Sequence, residues 1–194
     1  IIKKKDNMEG KCMETRRFAV NEYVTSEEIK NARKKLGLTQ KEFAEFINCS
    51  KPTVERWERS EDVIRGPIVP FLKMLQKYPE YEQEVKVPEK VWPLRIWYMY
   101  DQDVCTLIDV NERERKVKIK NYTDKIMFRA FGVMEEPDYN QYIEFLESRC
   151  FPESRDKMKL ILKDLDLPFY DPMMIIEKTE GRMAEDDFWI RIER

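Results

Sequence analysis

Two Thr-x-x-Glu spacings constrain this chain most: Thr25 with Glu28, and Thr39 with Glu42. In such a spacing the threonine hydroxyl accepts from the backbone N–H three residues on. The glutamate reaches back to the threonine N–H, so each spacing starts a helix. The first predicts a helix with Ile29, Ala32 and Leu36 on one face, ended by Gly37. The second predicts a short helix with Phe43, Ala44 and Ile47 inward, then a tight turn at Asn48-Cys49. Ser50 is placed to cap a third helix that buries Val54 and Trp57. Gly66-Pro67 opens a fourth, with Ile68, Phe71, Leu72 and Leu75 at helical spacing, and Tyr78-Pro79 stops it.

This arrangement leaves Lys51, Pro52, Glu55, Arg56 and Arg59 on the outer face of the third helix. A helix of this size fits the DNA major groove, where Arg and Lys donate to guanine O6 and N7. Gln40, through its amide and nearby backbone N–H groups, is placed to hold a phosphate, as is Thr53. Lys41 and Ser50 complete the candidate contact set. Glu55 has two readings: accepting from cytosine N4, or repelling phosphate. Arg56 and Arg59 have a plainer alternative as solvated helix residues, and Trp57 reads as core. Three amphipathic helices also occur in bundles that make only protein contacts.

Ala32-Arg33-Lys34-Lys35-Leu36-Gly37-Leu38-Thr39-Gln40, Phe43-Ala44, Ser50, Thr53-Val54 and Trp57-Glu58 together carry a likeness. With them the segment resembles the Cro-repressor-like, or XRE-type, helix-turn-helix family. Within it the segment is most similar to the DNA-binding half of MqsA-type antitoxins. The resemblance implies a dimer on a palindromic operator of double-stranded DNA. It implies that Gln40 grips a phosphate and that Lys51, Glu55 and Arg56 face bases. The chain departs at Asn48, where the family has glycine, and at Arg59-Ser60, where it has Gly or Asn-Gly. The zinc domain of MqsA-type antitoxins is not carried over, because Cys12 alone cannot supply it.

Charge divides the same way. Residues 1–80 carry 17 Lys/Arg and 13 Asp/Glu, whereas 81–194 carry 19 and 25, so only the first part is favoured near DNA. The cysteines Cys12, Cys49, Cys105 and Cys150 are scattered and histidine is absent, so no metal or cofactor is expected. Free thiols, the lack of a secretory signal and the lack of an apolar run of about 18 residues point to a bacterial cytoplasmic protein near the nucleoid.

The expected organisation is an arm at 1–22, an all-α domain of four or five helices at 23–79, a proline-rich linker at 80–93, and an α+β accessory domain at 94–194. In the last, 94–100, 103–110, 116–120 and 188–192 read as strands of a small antiparallel sheet, with a hairpin at 111–115. Tyr139, Tyr142, Ile143 and Leu146, and then Met158, Ile161, Leu162 and Leu165, line helix faces. Pro152 and Pro172 suit first helical turns, Asp171 an N-cap and Gly181 a C-cap. The domain is read as dimerising, sensing a ligand, or binding a protein partner such as a toxin. Exposure of Trp92, Trp97, Tyr98 and Tyr100 would favour an interface, whereas core positions would not.

Enzymatic function is not expected. There is no phosphate loop, no nucleophile elbow and no histidine base. Asp186-Asp187 reads as a solvated pair. Cys150 beside Arg149 reads either as activated or, more simply, as buried. The tail 181–190 faintly resembles a motif near the N-terminus of HipA-like kinases and their small partners. The leading function is a sequence-specific regulator, an antitoxin-like autorepressor. The alternative is a protein-binding adaptor of a toxin–antitoxin or mobile-element system.

Overall fold

Thr25 and Thr39 both close their capping boxes. Each hydroxyl accepts from the glutamate N–H at 3.2 Å, and each threonine N–H donates back to the carboxylate, at 2.8 Å for Thr25 and 2.7 Å for Thr39. The computed structural model describes residues 17–194, so Cys12 and the expected arm, apart from 17–22, lie outside the described residues. The chain divides into two compact units between Lys86 and Val87.

The first unit is all-α. Helices α1 (Ser26–Lys35), α2 (Gln40–Phe46), α3 (Lys51–Arg59) and α4 (Ile68–Lys77) follow the expected order. A short α5 (Tyr81–Val85) occupies part of the stretch read as linker. Gly37 takes the left-handed conformation after α1 (φ 70°), and Asn48 takes it between α2 and α3 (φ 52°). Asparagine tolerates that region better than other side chains, so the turn forms without glycine. Ile29, Phe43, Ala44, Val54, Ile68, Val69, Leu72 and Leu75 are buried together. Burying each large apolar side chain contributes about 1.5–3 kcal/mol. Trp57 and Phe71 sit at the rim, half-buried rather than enclosed. Val24 and Ile64 exchange two backbone hydrogen bonds, at 2.9 and 2.8 Å, tying the entry of α1 to the loop before α4.

The second unit is α+β. Its strands β1 (Leu94–Tyr100), β2 (Asp103–Asn111), β3 (Lys116–Asn121) and β4 (Phe188–Glu193) form one antiparallel sheet in the order β3-β2-β1-β4. A bulge at Tyr98/Met99 leaves Cys105 without a partner on β1, while its carbonyl accepts from the Tyr122 N–H at 2.9 Å. Helices α6 (Tyr139–Ser148), α7 (Met158–Asp164) and α8 (Pro172–Thr179) complete the unit. Leu94, Ile96, Tyr98, Ile108 and Val110 of the sheet pack with Tyr142, Phe145 and Leu146 of α6 and with Ile175 and Ile176 of α8. The Tyr98 ring stacks on Phe188 at 4.9 Å and meets Phe145 edge-on at 5.2 Å, which docks the C-terminal strand.

Local expectations differ at two places. Pro152 starts no helix: α7 begins at Met158, after Lys157 turns through the left-handed region, and buries no residue fully. Gly181 does not end α8; Glu180 does, at φ 55°, and Gly181 follows at φ 59°. A side chain on Gly181 would press to 3.1 Å from Ile190 Cδ1, so glycine is needed there for space as well as for conformation. Asp171 caps α8 as expected, accepting from Met174 N–H at 2.9 Å. Trp97 and Tyr98 are buried, and Trp92 and Tyr100 half-buried, so none of the four is an exposed anchor.

Candidate nucleic-acid interface

Helix α3 owes its orientation to Val54, which is completely buried, and to Trp57 at the rim. With that face inward, Lys51, Pro52, Arg56 and Arg59 are exposed, while Thr53 and Glu55 are half-buried. At the start of α2, Lys41 is exposed and Gln40 half-buried. The structure therefore brings the basic members of the candidate set onto the solvent side of α2 and α3.

A buried polar lock ties α1 to both. Arg33 donates to Glu58 from Nε at 2.6 Å and from Nη2 at 3.1 Å, and from Nη1 to the Leu38 carbonyl at 2.7 Å. Gln40 Nε2 donates to the same Glu58 carboxylate at 2.8 Å. The side chains of Arg33 and Glu58 are only 13% and 4% exposed. The hydrogen bonds from Arg33 hold the Glu58 carboxyl below its ordinary range, and Glu58 raises the Arg33 guanidinium. One carboxylate thus joins α1, the loop after it, the start of α2 and the end of α3. Gln40 has a second Nε2 hydrogen beyond the one donated to Glu58.

The outer face of α3 is less charged than the residue types suggest. Lys51 Nζ lies 3.2 Å from Glu55 Oε1, an i,i+4 pair worth only a few tenths of a kcal/mol. Ser50 occupies the N-cap position of α3 but makes no capping bond; its hydroxyl meets that of Thr53 at 2.8 Å. Ser50 therefore does not cap, and both hydroxyls stay at the solvent edge of α3. Glu42, by contrast, is fixed by Thr39, whose backbone N–H bond lowers its pKa.

Chemistry elsewhere is quiet. Burial pushes the Cys150 thiol up to about 12, against activation by Arg149. Asp186 is held low by its hydrogen bonds from Arg149, at 2.7 and 3.0 Å. Arg149 also donates to the carbonyls of Gly181 and Phe188, so this pair fastens the loop before β4. Among the described residues no cluster of three Cys, Asp or Glu could hold a metal. No described helix is long and apolar enough to cross a membrane.

Sequence reasoning missed the Arg33–Glu58–Gln40 lock as a unit. All three residues carry the family likeness, but nothing local says that they touch. A helix set across a left-handed turn from a capped one, its basic side outward, defines a helix-turn-helix domain. Residues 29–69 match the family model described as Helix-turn-helix. The chain is also similar to the antitoxin HigA-2 of Vibrio cholerae, 29% identical over 84 residues, covering 41% of this chain and 80% of that relative.

Proposed function

We propose that the protein is a sequence-specific, double-stranded DNA-binding transcriptional regulator of antitoxin type. It acts as an autorepressor, binding a palindromic operator as a homodimer in the bacterial cytoplasm, at the nucleoid. The observation that carries this reading is the exposed Lys51, Arg56 and Arg59 on a helix whose opposite side is fixed by Val54 and Glu58. The name of the Vibrio relative supports the antitoxin part.

In this reading α3 enters the major groove, with Lys51, Glu55 and Arg56 toward base edges. Lys51 exchanges Glu55 for a base or phosphate at little cost, because their pair is exposed and weak. Gln40, Lys41, Ser50, Pro52, Thr53 and Arg59 flank the helix against the sugar-phosphate backbone. Residues 94–194 bind a protein partner, such as a toxin, and the protein is not an enzyme.

The test is selection of bound fragments from the host genome, followed by titration of the recovered duplex at several salt concentrations. The expected result is an inverted repeat bound at least about 1000-fold tighter than random duplex. Equal affinity for every duplex would sink the sequence-specific reading.

A further inference from the structure

The sheet of the second unit has two unlike faces. One is closed by α6 and α8. The other buries Trp97, Met99 and Leu107, with Val104, Tyr122 and Trp189 against them, and no helix residue joins that cluster among the described residues.

Register decides what stands on this face. Lys118, Asp109, Arg95 and Glu193 are successive cross-strand neighbours, and so are Lys120, Leu107, Trp97 and Arg191. Buried Arg95 takes both oxygens of Asp109, at 2.7 and 2.8 Å, so that acid is already neutralised. Glu193 accepts from Trp97 Nε1 at 3.2 Å and lies 3.7 Å from Lys90. The outward charge that remains is positive. Lys118 and Arg191 are exposed, and neither forms an ion pair among the described residues. Each aromatic ring carries a cation: Arg191 over Trp97 at 4.7 Å, Arg182 over Trp189 at 5.0 Å, and Lys120 over Tyr122 at 5.0 Å. Arg182 also pairs with Glu180.

This basic face belongs to the acidic half of the chain, so composition does not explain it. A guanidinium stacked on an indole loses less freedom when it binds, and its N–H edge matches a carboxylate. Bases of single-stranded nucleic acid need open ring faces for stacking, whereas these rings already carry the protein's own cations.

We propose that this helix-free sheet face docks an acidic segment of a partner protein, whose Asp and Glu side chains meet Arg191 and Lys118. The proposal deepens the reading that residues 94–194 bind a protein, and rests on it.

The experiment uses the full chain, a fluorescein-labelled peptide of alternating Glu and Val, its Lys-Val counterpart and single-stranded oligo-dT. Each is titrated against wild type and the Lys118→Glu/Arg191→Glu double variant, with tryptophan emission followed in parallel. The expected result is binding of the Glu-Val peptide with a change in emission, weakened about tenfold or more in the double variant. Thermal melting and operator binding stay unchanged, which shows that the variant is folded. Equal binding of the Glu-Val peptide to both proteins places the protein contact elsewhere: it overturns this surface and leaves the partner reading standing. Binding of neither peptide overturns the docking face for an acidic segment. Oligo-dT binding that the reversal abolishes, or a dimer in sedimentation that the reversal dissociates, assigns the face to nucleic acid or to a second copy and overturns the proposal.

Discussion

Glu58 accepts two hydrogen bonds from Arg33, twenty-five residues before it, and a third from Gln40, so one carboxylate fixes the angle between three helices. The pair acts on position rather than on contact. Both side chains are nearly buried, while the exposed residues of α3 point the other way.

Replacing Glu58 by Gln leaves Arg33 charged and short of its anion. Breaking a buried ion pair from one side costs about 3–5 kcal/mol, and the residual exposure of Arg33 puts this one near the lower end. Urea unfolding followed by far-UV circular dichroism measures it. A loss below about 1 kcal/mol would mean that the pair is screened and does not set the helix angle.

The same pair predicts acid sensitivity. Glu58 has a depressed folded pKa, so its stabilising contribution is complete above its ordinary value of 4.5 and is lost as pH falls through the folded value. Glu28 and Glu42 are lowered by their threonine caps and act in the same direction. The urea midpoint therefore drops between pH 5 and pH 3. Glu58→Gln shows a shallower drop; an identical slope in the variant would rule Glu58 out as a source.

Two hydroxyls in cap positions should behave differently. Thr39→Ala removes a working capping box and costs about 1 kcal/mol. Ser50→Ala removes a hydroxyl that caps nothing and changes stability by less than about 0.5 kcal/mol. Matched thermal melts distinguish them, and equal losses would contradict the geometry.

Arg56 and Lys41 separate base reading from backbone attraction. Arg56→Ala should weaken the specific duplex by about 1–3 kcal/mol and relax preference at one base pair. Lys41→Ala should weaken all duplexes alike and reduce the salt slope by about one. Electrophoretic titration across salt concentrations checks both.

Cys150 offers a readout of the second unit. With its thiol pushed up to about 12 by burial, Cys150 should be modified by iodoacetamide at pH 8 only after half-exposed Cys49. Cys150 should react only as the unit unfolds, as peptide mass mapping over a urea series will show.

The helix-turn-helix was legible because its signals are local. A threonine and a glutamate three apart meet by geometry alone, and Asn48 announces its turn. The Arg33–Glu58 bond is not local, and neither residue type implies the other. Helix α5 was hidden by Pro79 and Pro88 on either side of it, which make the stretch read as extended. Pro152 misled in the opposite sense: proline permits a first helical turn without requiring one. Ser50 shows that a cap residue can prefer a neighbouring hydroxyl. Leu94-Arg95-Ile96-Trp97-Tyr98-Met99-Tyr100 is apolar on both parities, so alternation could not say which side the helices would cover.

The bulge opposite Tyr98 and Met99 has a consequence for how this chain tolerates length changes. Cys105 is unmatched on β1, and its removal would leave the strands on either side in phase. One residue gained or lost between Leu107 and Asn111 would turn Asp109 toward the aliphatic interior and bring Ile108 or Val110 out of it. Insertions and deletions that spare the fold should therefore gather at the 101–102 hairpin and at Cys105, and avoid the five residues that follow Thr106.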